Sequence, residues 1–81
     1  MTINEIKTNV ETYLISIKGN EFNEFHIRNH IYRTFIKPYE NELFIKRALT
    51  IIQQPTPTTF YCSIIFYFNQ AEDPTAIEIN V

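Results

Sequence analysis

The stretch TTFYCSIIFYFN, Thr58 to Asn69, decides the fold. Its side chains alternate: Phe60, Cys62, Ile64, Phe66 and Phe68 fall on one side, Tyr61, Ser63, Ile65 and Tyr67 on the other. β-branched and aromatic residues dominate and neither Gly nor Pro interrupts them, which predicts a strand over residues 58–69. Downstream, Asn69 to Pro74 reads as a polar loop. Residues 75–81 then alternate again, with Ile77, Ile79 and Val81 opposite Glu78 and Asn80. Two such strands predict an antiparallel ribbon.

Upstream the period changes. Ile3, Ile6, Val10, Tyr13, Leu14 and Ile17 recur at steps of three and four, the arc of a helix over residues 2–18. Thr2 and Glu5 have capping-box spacing, and Lys18-Gly19 suits a C-terminus. A competing reading turns Tyr13 to Lys18 into a strand that reverses at Gly19-Asn20; only Ile15 lies outside the helical arc. A second helix is expected over 24–37, capped by Asn23, stapled by Phe22 on Ile27 and ended by Pro38. Phe25, Ile27, Ile31, Tyr32, Phe35 and Ile36 form its apolar half and His26, Asn29, His30, Arg33 and Lys37 the other, while Arg28 snorkels from the core edge. Residues 39–53 predict a third helix, with Phe44, Ile45, Ala48, Leu49, Ile51 and Ile52 buried and Glu42, Leu43, Lys46, Arg47 and Thr50 outward. Pro55 stops it, and a stiff Pro-Thr connector follows.

The expected fold class is therefore α+β: three helices followed by a two-stranded antiparallel β-ribbon in one 81-residue domain. A chain of this size hides only about 60–65% of its unfolded surface, so a small core needs large side chains; fourteen Ile and seven Phe supply them. The order of elements, with GNEFNEFHI leading into helix two and ENELFIKRALTII as helix three, resembles the winged-helix variant of the helix-turn-helix. The resemblance implies a supporting and a recognition helix and contact with double-stranded DNA. Two departures stand out: a Pro dominates the connector between helices two and three, and Glu40 and Glu42 head the recognition helix, where carboxylates repel phosphates.

Charge is distributed unevenly. The chain has a formal net charge of −2, which supplies no global field for indiscriminate binding to nucleic acid or acidic membranes. Between His26 and Arg47, however, five cations stand against two carboxylates, a local charge of +3. Arg33, Lys37, Lys46, Arg47 and Thr50 are the expected nucleic-acid contacts. The plainer reading is that these charges keep helix surfaces solvated.

Other chemistry finds little support. A single glycine, Gly19, cannot build a phosphate-cradling loop. The pairs Glu21/Glu24 and Glu40/Glu42 sit at expected helix starts, where the dipole favours carboxylates anyway. His26 and His30 are one turn apart but lack a third and fourth metal ligand. Cys62, the only cysteine, reads as a small buried hydrophobe, excludes an internal disulfide and suits a reducing compartment. No catalytic residue, cofactor or metal site is expected, and the chain reads as a cytoplasmic binding module with no membrane-crossing segment. Tyr61, Ile65 and Tyr67 make the second strand face too apolar for water, which predicts a cover, helix one or a second copy of the chain, and a protein interface; a homodimer is expected. A protein-binding inhibitor or adaptor of the mobile-element type, acting through that face and the acidic head of helix three, is the rival to the DNA-binding reading.

Overall fold

The computed structural model describes residues 1–81. Two helices, α1 (Ile3–Ser16) and α2 (Glu24–Ile31), precede a three-stranded sheet of β1 (Ile45–Thr56), β2 (Thr59–Phe68) and β3 (Thr75–Asn80). The strands lie in the order β1-β2-β3, every neighbour antiparallel, so the sheet is a meander with β2 in the middle. The expected three helices and two-stranded ribbon, and with them the winged-helix topology, are corrected: residues 45–56 of the would-be third helix and its connector are a strand.

The reason lies in one extra residue. Ile45 pairs with Phe68 and Arg47 with Tyr67, so Lys46 is a bulge that has no partner on β2. A bulge resets the alternation of faces. Ile45, Ala48 and Ile52 therefore all turn toward the core at spacings of three and four, a helical period produced by a strand. Beyond the bulge, β-branched Thr50, Ile51 and Ile52 suit a pleated surface. Leu49 and Ile51, expected in a buried helical arc, are 45% and 49% exposed on the opposite sheet face, and Leu43, expected outside, packs on the core.

Both helices begin where the caps place them. The Glu5 N–H donates to Thr2 Oγ1 (3.1 Å) and the His26 N–H to Asn23 Oδ1 (3.0 Å), each satisfying a donor the first turn leaves free. Ile6, Val10 and Leu14 turn inward along α1, which excludes the competing strand reading of Tyr13 to Lys18. The chain leaves α1 through Gly19 at φ 85°, a conformation glycine adopts at no steric cost. Pro38 does not stop the second helical segment at Lys37. A π turn, Tyr32–Ile36, widens the coil so that the Lys37 N–H reaches the Tyr32 carbonyl, and a 3₁₀ turn, Lys37–Tyr39, absorbs the proline near its start.

The core is one layer between the helices and one face of the sheet. Ile6, Val10 and Leu14 of α1, with Ile27, Ile31 and Ile36, pack on Ile52, Phe60, Cys62, Ile64, Phe66, Ile77 and Ile79. Phe22, rather than stapling α2 alone, brings its ring within 6.3 Å of Phe60. No side-chain polar atom is buried without a partner. No helix is long and apolar enough to cross a membrane.

Candidate functional site

Two surfaces remain once the core is formed, and β1 contributes to both. The first is a groove of about 370 Å³ between α2 and β1. Phe25, Arg28 and Asn29 of α2 and Tyr32 of the π turn, spaced at three, four and seven residues, line one side; Lys46, Arg47, Ala48 and Thr50 line it from the strand, and Glu40 completes the lining. Arg28 and Lys46 thus share the groove with one carboxylate, while the Arg47 guanidinium turns to the other sheet face, over Tyr67. That carboxylate is engaged, since the Tyr32 hydroxyl donates to Glu40 Oε1 at 2.7 Å, and the bond to Glu40 chiefly, with burial and its charge, raises the Tyr32 hydroxyl above the usual tyrosine range. Arg28 is held loosely by Glu24 at 3.5 Å, an exposed pair that adds little. Phe25, expected in the buried half of its helix, is 76% exposed at the rim.

Of the expected nucleic-acid contacts, the fold brings Lys46, Arg47 and Thr50 together but on a strand, with Thr50 on the helix-covered face rather than outward. Arg33 in the π turn and Lys37 in the 3₁₀ turn are exposed and do not line the groove. Arg28, expected at the core edge, is instead a groove residue. The stripe of Phe25, Arg28, Asn29 and Tyr32 was the available signal, a mixed face too polar for a core. Glu42 does not head a helix; its carboxylate lies 2.8 Å from the Met1 ammonium, whose pKa the contact raises.

The second surface is the sheet face away from the helices. Register places Arg47, Leu49, Ile51 and Gln53 beside Tyr67, Ile65, Ser63 and Tyr61, with Ala76, Glu78 and Asn80 on the far side. Tyr61, Ile65 and Tyr67, the expected interface residues, are half-buried here, and Leu49 and Ile51 join them as exposed neighbours. Neither helix covers this face. Its charged corners are tied to its aromatic rings: the Arg47 guanidinium stacks over Tyr67, and the Tyr61 hydroxyl donates to Glu78 Oε1 at 3.3 Å.

The histidines and the cysteine have structural surroundings. His30 stacks on Tyr13 with ring centroids 4.3 Å apart and meets Phe35 edge-on, whereas His26 is exposed. Burial in the same cluster raises the Tyr13 hydroxyl. No group of three or more His, Cys, Asp or Glu gathers anywhere in the fold. Cys62 is fully buried, and desolvation pushes its thiol up to about 11, far from a nucleophile's range. Compared with protein-family models, curated proteins and solved structures, the chain matches none significantly.

Proposed function

We propose that the protein is a non-enzymatic protein-binding module whose open sheet face seats a second copy of the chain. The observation that carries this reading is the one-sided layering: both helices pack on the same face of the sheet, and Leu49 and Ile51 stay about half exposed beside Tyr61, Ile65 and Tyr67. Sheets that present such a row to water without a cover are uncommon, and Tyr is favoured at interfaces.

Charge placement supports a second copy as the occupant. Arg47 lies on β1 at the Tyr67 end and Glu78 on β3 beside Ser63, so cation and carboxylate flank the central Ile65 from opposite corners. A two-fold axis between two such faces, perpendicular to the line joining those corners, sets each Arg47 opposite Glu78 of the other copy and crosses the strands steeply, as in orthogonal sheet packing. The patch spans about 20 Å along the strands and about 10 Å across them. A standard interface takes about 800 Å² per partner, so this one belongs to the weak class.

Of the two partners expected from the sequence, DNA has less support from this geometry. Lys46 and Thr50 meet Arg28 in the groove while Arg47 turns to the other sheet face; no helix presents them to a major groove, and so few cations neutralise few phosphates.

Light scattering and sedimentation equilibrium from micromolar to millimolar protein test the proposal. The native chain should dimerise and Ile65→Asp should stay monomeric with unchanged circular dichroism. Arg47→Glu and Glu78→Arg should each weaken the dimer and together restore it. A folded chain that stays monomeric throughout would sink the reading.

A further inference from the structure

β1 is an edge strand, and the direction of its free main-chain groups follows from the far side of the sheet. Phe60 and Val81 exchange both backbone hydrogen bonds, at 2.7 and 3.0 Å. In an antiparallel ladder such pairs alternate with pairs that bond elsewhere. Even-numbered residues of β2 therefore aim their N–H and C=O groups at β3, and odd-numbered ones at β1. Through the pairs Arg47 with Tyr67, Leu49 with Ile65 and Ile51 with Ser63, the odd residues of β1 answer them. Ala48, Thr50 and Ile52 are left with donors and acceptors pointing out of the sheet.

Ala48 and Thr50 are also the groove residues whose side chains face α2. The groove thus combines an unpaired ladder edge with the cations of Arg28 and Lys46, and its 370 Å³ accommodates side chains of an added strand. We infer that the β1 edge is a strand-addition site for an extended acidic peptide, whose backbone pairs with Ala48 and Thr50 and whose carboxylates meet Arg28 and Lys46. Main-chain bonds supply affinity in this mode, and alternate side chains supply selectivity.

The arrangement argues against two other occupants. A second copy adding its own β1 would set two cation-lined grooves side by side, and the Lys46 bulge is a device that discourages edge pairing between like chains. A DNA backbone offers phosphate acceptors but no donors for the outward carbonyls of Ala48, Thr50 and Ile52. The surface involved is separate from the open sheet face apart from Arg47.

The probe is a fluorescein-labelled eight-residue peptide of alternating Glu and Val, followed by fluorescence anisotropy at low salt. It should bind, its affinity should fall as salt rises, and a Lys-Val peptide of equal length should not bind. Lys46→Glu should raise the dissociation constant at least about tenfold. Thr50→Pro removes one outward N–H at an edge position where proline is tolerated, and should abolish binding with the sheet intact. Methylating the peptide amides on one edge should abolish binding and on the other leave it unchanged, a contrast that requires no protein variant. Ala48 and Thr50 amides should gain protection from hydrogen exchange. Failure of the Glu-Val peptide to bind, or equal binding of both methylated forms, overturns the inference. So does a single-stranded oligonucleotide that binds the groove more tightly and survives Thr50→Pro, or a dimer that Thr50→Pro dissolves.

Discussion

Arg47 and Tyr67 pair across β1 and β2, and the guanidinium carbon lies 4.4 Å from the centre of the tyrosine ring. Cation and ring hold each other flat against the open sheet face. At an exposed site such a contact contributes about 0.5–1 kcal/mol. A double-mutant cycle with Arg47→Ala and Tyr67→Leu should return a coupling of that size by urea denaturation. Coupling near zero would mean that the two side chains are neighbours only.

Phe44 is the one residue other than glycine with a left-handed backbone, at φ 57°. It occupies the position where a Schellman turn normally has glycine: the Ile45 N–H donates to the Glu40 carbonyl at 2.9 Å and the Phe44 N–H to the Asn41 carbonyl at 3.3 Å. That conformation costs a non-glycine residue about 1–2 kcal/mol, against roughly 0.5–1 kcal/mol of extra chain entropy for glycine. Phe44 is 51% exposed, so removing its ring also loses about half of a buried side chain, roughly 1 kcal/mol that offsets part of the strain relief. Phe44→Gly should therefore change the stability by no more than about 1 kcal/mol either way, a shift in Tm of about 4–8 °C at most. A larger fall in Tm would assign the ring a contact that outweighs its strain.

Lys46 is the residue that the ladder skips. Its deletion should join Ile45 inward to Arg47 outward and Ala48 inward, a regular strand. The shortened chain should keep its circular dichroism and lose no more than about 1 kcal/mol, within the ordinary range of a tolerated change. Its Glu-Val peptide affinity should fall, because one groove cation leaves with the bulge. Loss of cooperative unfolding would show that the bend itself holds α2 against β1.

Alkaline pH should destabilise the fold. Burial holds the Cys62 thiol up to about 11, against about 8.5 in an unfolded chain. The folded state therefore binds this proton more tightly. Its stabilising effect is complete below about pH 8.5 and is lost as pH rises through 11, roughly 3 kcal/mol in all. Tyr13 and Tyr32, both raised, act in the same direction. Urea denaturation at pH 7 and at pH 10.5 should give a smaller difference for Cys62→Ala than for the native chain. An equal difference would place the alkaline loss on the tyrosines.

Much of this architecture was legible because local rules and tertiary demands agreed. Thr2 and Asn23 cap the helices they precede, and the alternation of β2 is the alternation of burial along it. β1 was not legible, because the Lys46 bulge gives Ile45, Ala48 and Ile52 a helical spacing, and only pairing with Phe68 and Tyr67 distinguishes the two cases. Pro38 misled in a milder way, since a π turn can carry a helical segment past it. As to the surfaces, the apolar second face of β2 could be read from Tyr61, Ile65 and Tyr67. Leu49 and Ile51 could not be added to it without knowing that they belong to a strand. Arg28 entered the groove unannounced for the same reason: its partners lie on β1, far along the chain.

The meander separates the chain into two helices first and a complete sheet after them, with Thr56 and Thr59 closing the β1–β2 hairpin across Pro57-Thr58. Local closure of this kind is kinetically cheap, and the sheet needs nothing from residues before Glu40 to find its register. Folding should therefore run from the C-terminal half backward, the hairpin setting the nucleus and α1 docking last. In φ-value terms, Ile64→Val should slow folding, while Val10→Ala should mainly speed unfolding. During synthesis the order is reversed: the helices emerge first and wait, without a core to join, until the strands behind them are made.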